Sequence, residues 1–225
     1  MSRALRALSS AYVERRRKLA EGAALAGAGK RAAFALFYGP IHYLLVREIV
    51  RRIAPPALSV ATIVDLGCGT GSAGAAWASS IDGLPEVVGI DRHPWAVGEA
   101  RWTYRHFGLT AHVERADIGT AILPRGKASM IAAFTINEIR DDTARDTLLK
   151  RLVDRTARGD RLLVVEPLAG FVAPWWARWR DVVVRAGGRA DEWRFRIELP
   201  EIVRKLDRAA GLDHRELTAR SLTLG

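Results

Sequence analysis

Apolar residues recur at two different spacings along the chain, and these spacings predict helices and strands in alternation. In residues 1–54 the apolar positions recur mostly at steps of three and four, which predicts helices. Pro55 and Pro56 then predict the end of this helical segment. Beyond them, the blocks typical of strands are 59–66, 86–91, 110–118, 128–136 and 160–168, and those typical of helices are 70–80, 94–107 and 141–157.

The order of these blocks predicts an α/β fold. Strands separated by helices of ten or more residues form right-handed crossover units, and such units build a parallel sheet covered on both faces. After residue 170 the pattern weakens: 200–211 predicts a helix, 212–224 could supply a last strand, and 212–225 is too short for a closing hairpin. We therefore predict a basic helical extension or lid at 1–56 and an α/β domain at 57–225.

Charge is concentrated near the start of the sequence. The chain of 225 residues carries a formal net charge of +10, and residues 1–31 hold eight basic and two acidic residues. Such a concentration favours a phosphate-rich partner, because neutralising phosphates releases counterions. A solvated helix face in an arginine-rich chain explains the same pattern, and both interpretations stay open.

Composition excludes several classes of protein. The single cysteine, Cys68, excludes a disulfide framework, and the five histidines show no ligand spacing, so we predict no metal site. The longest apolar run, 32–46, is short and contains Gly39 and Pro40, so we predict no transmembrane helix and no membrane partner. The N-terminus lacks the apolar core of a secretory signal. These features are typical of a globular protein of the reducing cytoplasm.

A glycine-rich stretch follows the first strand, in the sequence IVDLGCGTGSAG at 63–74. Open parallel sheets bind ligands at the carboxyl ends of their strands, so this loop lies where a nucleotide-like ligand is expected. Gly69 to Gly74 satisfy G-x-G-x-x-G, and Asp91 lies twenty residues after Gly71, which permits a dinucleotide site. The first glycine comes late for such a site, however, and the carboxylate of Asp65 would repel a pyrophosphate.

The stretch VDLGCGTG at 64–71 resembles the first motif of the class I S-adenosylmethionine-dependent methyltransferases. GIDRHPWAV at 89–97 is similar to the second motif of that family, and ERADIGT at 114–120 to the third. The resemblance implies a Rossmann-like doubly wound, mostly parallel sheet and S-adenosyl-L-methionine as cofactor, with Asp91 on the ribose hydroxyls and Asp117 near the adenine amino group. The implied cofactor contacts are Asp65, Gly67, Cys68, Gly69, Gly71, Asp91, Arg92, Asp117, Ile118 and Phe134.

Two further stretches bear on the substrate. AAFTINEI at 132–139 lacks the N/D-P-P-Y/F motif of base amino-methyltransferases, and with LLVVEPLAG at 162–170 it resembles the mitochondrial small-subunit ribosomal assembly methyltransferase-like family, which has bacterial members. This resemblance implies RNA or the ribosomal small subunit as partner. The chain departs from the family's larger members in its length and in lacking their cysteine cluster.

Candidate substrate and catalytic residues lie around the same strand ends. Methyl transfer from a sulfonium is a direct displacement, so alignment and exclusion of water matter most, and a general base is optional. Glu138 and Glu166 could bind or deprotonate a nucleophile, although Glu138 could simply begin a helix. PWWARWR at 174–180 could stack on bases or form helix core, and 34–43 could cover the cleft. The candidate substrate contacts are Tyr38, His42, Asn137, Glu138 and Trp175.

These observations predict a methyltransferase that acts on RNA or on a ribosomal particle. Methylation of a small molecule, with the N-terminal helices closing a compact pocket, is the first alternative. A catalytically silent protein that uses the fold to dock on ribosomes is the second.

Overall fold

The computed structural model describes Leu5 and residues 25–53, 60–139, 141–168 and 173–225. Most of the basic N-terminal residues lie outside these ranges, as do Pro55, Pro56 and the boundary expected between residues 56 and 57. The division of the chain into an extension and a domain at this boundary therefore stays a prediction.

Within the described residues, helices and strands alternate in the order expected from the sequence. The helices are α1 (Ala28–Ala33), α2 (Gly39–Ile53), α3 (Ser72–Ala78), α4 (Pro94–His106), α5 (Asp142–Thr156), α6 (Trp176–Arg185) and α7 (Glu201–Ala209), with a π-helical turn at Phe34–Tyr38 and a 3₁₀ turn at Ile136–Glu138. The strands are β1 (Thr62–Leu66), β2 (Glu86–Asp91), β3 (Ala111–Arg115), β4 (Ser129–Ala133), β5 (Arg161–Glu166), β6 (Arg189–Phe195) and β7 (Leu217–Leu224).

The strands form one seven-stranded sheet in the order β3-β2-β1-β4-β5-β7-β6. Strands β1 to β5 pair in parallel, and β7 is antiparallel to both of its neighbours. The predicted doubly wound, mostly parallel sheet is thus confirmed. Because β4 lies beside β1 while β2 and β3 extend to the other side, strand order reverses at β1, which is where such sheets bind ligands.

The last strand of the sheet lies where the sequence predicts it, but the strand that pairs with it as a hairpin was not predicted. β7 lies within 212–224, and its hairpin partner is β6. β6 is an edge strand, and of its seven residues only Phe195 is buried, so alternating charged residues hide its strand character. Helix α7, expected at 200–211, connects the two strands.

Side chains alternate between two cores, one on each face of the sheet. In β1, Ile63 packs with α2, α3 and α4, whereas Val64 and Leu66 pack with α5 and α6. The apolar side of α2 contributes Leu45 and Ile49 to the first of these cores. The segment expected to extend from the domain is therefore, from residue 28 onwards, part of its hydrophobic core.

The same segment meets a simple criterion for a membrane span. The continuous helical run Ala28–Ile53 is long enough and, at a mean hydropathy of 1.2 over its most apolar window, apolar enough to cross a bilayer; 44% of that window is buried inside the fold. Core helices of water-soluble proteins meet this criterion as well, and here the buried side is the one that packs on α3 and the sheet.

Candidate active site

The main cleft of the described residues opens at the carboxyl ends of β1, β2 and β4. Two connected pockets share the residues Gly67, Asp91, Arg92, Thr135 and Glu138. The first extends under the N-terminal helices, and the second extends towards the loop after β3 and the start of α5. The cleft therefore lies at the point where the sheet topology predicts a ligand.

Gly67 brings the glycine loop close to the turn that follows β4. Its φ is +66°, and a Cβ atom there would lie 1.9 Å from Oγ1 of Thr135, so only glycine fits. The loop is also hydrogen-bonded to β2, because the Cys68 amide donates to the Ile90 carbonyl at 3.0 Å. Gly67, Cys68 and Gly69 all line the cleft, as expected.

Asp65 and Gly71 lie beneath the loop and do not line the cleft, which corrects their expected positions. Asp65 is 1% exposed, and its Oδ2 accepts hydrogen bonds from the Tyr104 hydroxyl and the Gly74 amide, both at 2.8 Å. Gly71 faces Tyr104 and Ala100 of α4. Burial raises the pKa of Asp65 to about 6, although both hydrogen bonds oppose the rise. Asp65 thus fixes the shape of the loop from behind.

Asp91 ends β2 and lines both pockets. Its Oδ2 accepts from the Gly69 amide at 2.9 Å, and its Oδ1 accepts from the His93 amide at 2.8 Å. These bonds hold the carboxylate in one orientation, and each oxygen keeps a lone pair that can accept from a ligand hydroxyl. The position suits recognition of a ribose diol.

The second pocket combines an apolar wall with an ordered acidic loop. Ile118 and Ile139 supply apolar surface, and Asp117 accepts from the Gly119 amide at 2.8 Å. Arg151 of α5 donates to the carbonyls of Gly119 and Ala121, which fixes the loop that carries Asp117 and Ile118. A flat, mostly apolar ring with polar edges fits this slot.

An aromatic pair covers the first pocket. Phe134, with φ of +59°, stacks on His42 with ring centroids 4.0 Å apart and an interplanar angle of 18°. Phe34 lies over Gly69 and completes the roof. Burial lowers the pKa of His42 to about 3, so its ring is neutral near pH 7. Tyr38 packs against Phe37 and His42 behind this roof, at ring centroid distances of 5.2 and 6.0 Å, and does not itself line the cleft.

Glu138 faces Arg92 across the junction of the two pockets. Nη2 of Arg92 lies 3.6 Å from Oε2 of Glu138. Burial raises the pKa of Glu138 to about 7, and the neighbouring guanidinium opposes that rise. Glu138 is therefore the candidate catalytic or substrate-binding carboxylate that the structure does place in the cleft.

Glu166, Asn137 and Trp175 lie outside the cleft, contrary to expectation. Glu166 is fully buried, and its Oε2 accepts from the Asn137 amide at 2.6 Å. Oδ1 of Asn137 in turn accepts from the Trp175 indole at 2.8 Å. Trp175 is 3% exposed and packs with Trp176 and Trp179, so this aromatic stretch is helix core and cannot clamp bases.

Several residues of the cleft were missed by the sequence analysis. Thr135 and Ile139 lie within the stretch AAFTINEI but were not named as contacts, and Phe34 lies in the segment expected to cover the cleft. His93 and Asp141 were not assigned to the cleft, although each caps a helix that begins there: the His93 ring accepts from the Trp95 amide, and the Asp141 side chain from the Ala144 amide.

The charge of the cleft fits a cationic ligand. Its lining holds four carboxylates, from Asp91, Asp117, Glu138 and Asp141, and one guanidinium, from Arg92, although the whole chain is strongly basic. A ligand with ammonium and sulfonium groups is attracted by this lining, whereas a diphosphate is repelled. Among the described residues no group of three or more His, Cys, Asp or Glu could hold a metal ion.

The sheet order with an antiparallel β7, the glycine loop and the acid at the end of β2 together define a class I methyltransferase fold. Residues 63–159 match the family model described as a methyltransferase domain. The chain is thus similar to methyltransferases over these residues, and solved structures of the same fold hold S-adenosylmethionine or S-adenosylhomocysteine. A search of curated protein sequences finds no significant match.

Solved structures confirm the fold across most of the chain. The N-methyltransferase NodS from Bradyrhizobium japonicum, in complex with S-adenosyl-L-homocysteine, is 14% identical, with coverage of 81% of this chain and 85% of that one and a TM-score of 0.53. A Pyrococcus horikoshii protein described as a candidate RNA methyltransferase is 14% identical, with coverage of 81% and 82% and a TM-score of 0.53. The plantazolicin methyltransferase BamL is 10% identical, with coverage of 98% and 97% and a TM-score of 0.55.

Proposed function

We propose that the chain transfers a methyl group from S-adenosylmethionine to RNA, either free or within a ribosomal particle. The observation that carries this proposal is an exposed surface, here called the α4 aromatic surface, which combines aromatic rings with arginines. Its exposed residues are Arg101, Trp102, Arg105, His106 and Phe107, and the half-buried Tyr43 of α2 borders them. Trp102 is 60% exposed and stacks on His106 with centroids 5.1 Å apart and an interplanar angle of 8°.

This surface has the chemistry that binds single-stranded nucleic acid. Bases stack on exposed aromatic rings, and flanking arginines attract the phosphates. Phe107, 37% exposed, extends the surface towards Tyr43 at a centroid distance of 5.1 Å. Arg101 is held in place by its hydrogen bond to the Val113 carbonyl at 2.8 Å.

Helix α4 connects this surface to the cleft. His93 lines the cleft and caps the helix, and Trp102 follows nine residues later. At a rise of about 1.5 Å per residue, His93 and Trp102 lie roughly 14 Å apart along the helix axis. A strand of RNA bound along α4 could therefore place a nucleotide in the cleft.

The residues of the cleft can align the reaction and exclude water. Asp91 and the slot at Ile118 would hold the cofactor's nucleoside, and the roof of Phe34, His42 and Phe134 would keep solvent from the acceptor. The bound sulfonium supplies the methyl group. Glu138, with its pKa of about 7, is suited to take a proton from the acceptor near neutral pH.

Binding of a single-stranded RNA oligonucleotide, measured by fluorescence anisotropy over a series of salt concentrations, tests the surface. Affinity should fall steeply with salt, and Trp102→Ala should weaken binding by about 1–3 kcal/mol. Ile202→Ala, at a position 64% exposed on α7, is the matched control and should change affinity by less than about 0.5 kcal/mol. Weak binding that neither salt nor Trp102→Ala alters would remove the α4 aromatic surface from the proposal.

Transfer of labelled methyl groups tests the acceptor. Total RNA, isolated small ribosomal subunits and a small-molecule extract form separate arms, and label in either of the first two supports the proposal. Label in the third arm alone supports methylation of a small molecule, which the roof of Phe34 and His42 from the same chain favours. Cofactor and RNA binding without transfer in any arm would instead indicate a ribosome-docking protein.

A further inference from the structure

A buried chain of hydrogen bonds connects β5 to the turn that follows β4 and to the start of α6. Both oxygens of the Glu166 carboxylate accept hydrogen bonds from that turn: Oε1 from the Ile136 amide at 3.1 Å and Oε2 from the Asn137 side chain at 2.6 Å. Asn137 also connects the turn to the start of α6, since its Oδ1 accepts from the Trp175 indole at 2.8 Å. The side chains of Glu166, Asn137 and Trp175 do not themselves line the cleft.

Residues of β7 and α6 surround Glu166. Arg220 of β7 is its direct cross-strand partner, and the Arg220 guanidinium lies 4.2 Å from the ring centroid of Trp176. Burial raises the pKa of Glu166 to about 8, and the hydrogen bonds from the turn and the positive charge of Arg220 oppose the rise. Three elements, β5, β7 and α6, thus meet around one carboxylate.

The turn held by this carboxylate carries residues of the cleft. Thr135 and Glu138 lie on either side of Ile136 and Asn137, and both line the two pockets. We propose that Glu166 is a positioning residue, which holds Thr135 and Glu138 at the cofactor cleft by fixing the turn between them. The proposal rests on the cleft as the cofactor site and is independent of whether the acceptor is RNA.

The chain of hydrogen bonds has a defined direction. Trp175 donates to Asn137, Asn137 donates to Glu166, and Glu166 accepts from both of its partners. A glutamine at 166 must present its oxygen to the Ile136 amide, so its NH₂ faces Asn137. If Asn137 rotates to accept from that NH₂, its own NH₂ then faces the Trp175 N–H. One donor is therefore always left without an acceptor.

An exchange of the two side-chain types restores every hydrogen bond. In Asn137→Asp with Glu166→Gln, the aspartate accepts from both Trp175 and the glutamine NH₂, and the glutamine oxygen accepts from Ile136. The charge of the network is unchanged. Asn137→Asp alone places two carboxylates in contact, and Glu166→Gln alone produces the unpaired donor.

The experiment measures affinity for S-adenosylhomocysteine by calorimetry and stability by chemical denaturation at pH 9, where Glu166 is ionised, in wild type, both single variants and the double variant. Each single variant should bind S-adenosylhomocysteine about tenfold more weakly, and the double variant should return to within about threefold of wild type. Asp160→Asn is the matched control. Asp160 is a buried carboxylate at the other end of β5 that accepts from the Ala128 amide at 3.0 Å, so its variant should lose stability and keep wild-type affinity.

These outcomes separate positioning from general stabilisation. Single variants that fold and bind as wild type overturn the proposal, as does a double variant that stays as weak as the singles. If a single variant does not fold, the double variant decides alone: folded protein with wild-type affinity supports the proposal, and a double variant that fails to fold or to bind overturns it. Absence of RNA methylation, by contrast, would contradict only the proposed acceptor.

Discussion

The hydroxyl of Tyr104 donates a hydrogen bond to the carboxylate of Asp65 at 2.8 Å, directly beneath the glycine loop. The same carboxylate oxygen accepts from the amide of Gly74 in α3. One buried acid therefore connects β1, α3 and α4, and the backbone above it is held in the shape that the cofactor cleft requires. Asp65 therefore contributes to the cleft indirectly, by fixing the conformation of the glycine loop.

Tyr104→Phe should lower the free energy of unfolding by about 1.5–3 kcal/mol at pH 8, because a buried charged carboxylate loses a hydrogen bond. Chemical denaturation measures this change. Tyr43→Phe is the control, since Tyr43 packs near the surface against Phe107 and should change stability by less than about 0.5 kcal/mol. Equal effects of the two variants would contradict the role given to the Tyr104 hydroxyl.

Asp91→Ala should weaken binding of S-adenosylhomocysteine by about 1–3 kcal/mol, because the variant removes an oriented acceptor for ligand hydroxyls and leaves loop amides unpaired. Calorimetric titration measures the change. Asp82→Ala, in the exposed loop after α3, is the control and should bind as wild type. Unchanged affinity in Asp91→Ala would remove this carboxylate from the cofactor site.

Binding of the cationic cofactor should depend on pH through Glu138. The pKa of this carboxyl is about 7 in the free protein, and a bound cation lowers it, so binding releases a proton and affinity rises as pH increases towards and past 7. Titrations with S-adenosylmethionine between pH 6 and 8 should show this rise in wild type. In Glu138→Gln the curve should be flatter, and an identical pH dependence in the two proteins would rule out Glu138 as its source.

Gly67→Ala should abolish measurable cofactor binding and destabilise the fold. Gly83→Ala is the matched control, because Gly83 also has a positive φ, +95°, but has nothing within 4 Å of a Cβ atom. Backbone strain should cost both variants about 1–2 kcal/mol, and the contact with Thr135 should cost Gly67→Ala about 1–3 kcal/mol more. Denaturation of both variants measures the difference, and equal losses would show that the loop can move away from Thr135.

The cofactor cleft was largely predictable because its residues lie at the ends of adjacent parallel strands. Asp91 and Asp117 follow strands with clear periodicity, and a parallel sheet brings such ends to one edge. The position of Asp65 was not recognised, although the two-residue period of β1 places it on the same face as Ile63. The polar partner of Asp65 on that face is Tyr104. Tyr104 is distant in the sequence, so the residues around Asp65 do not identify it.

The remaining errors have similar physical causes. Helix core was the favoured interpretation of Trp175 and its neighbours, and the structure confirms it. Trp175 was nevertheless proposed as a substrate contact, because the pattern of one helix does not say what packs on it. Glu166 and Asn137 were identified as polar residues near the site, but only the fold shows that they face each other below it. β6 was missed because an edge strand with one buried residue lacks the apolar alternation of β1 to β5.

Strand β7 lies between β5 and β6 but follows both of them in the chain. While the protein is being synthesised, the backbone of β5 thus has no neighbour on that side until residues 217–224 have left the ribosome. Bare strand edges pair readily with other chains, so the nascent protein passes through an interval in which chaperone protection of β5 matters most.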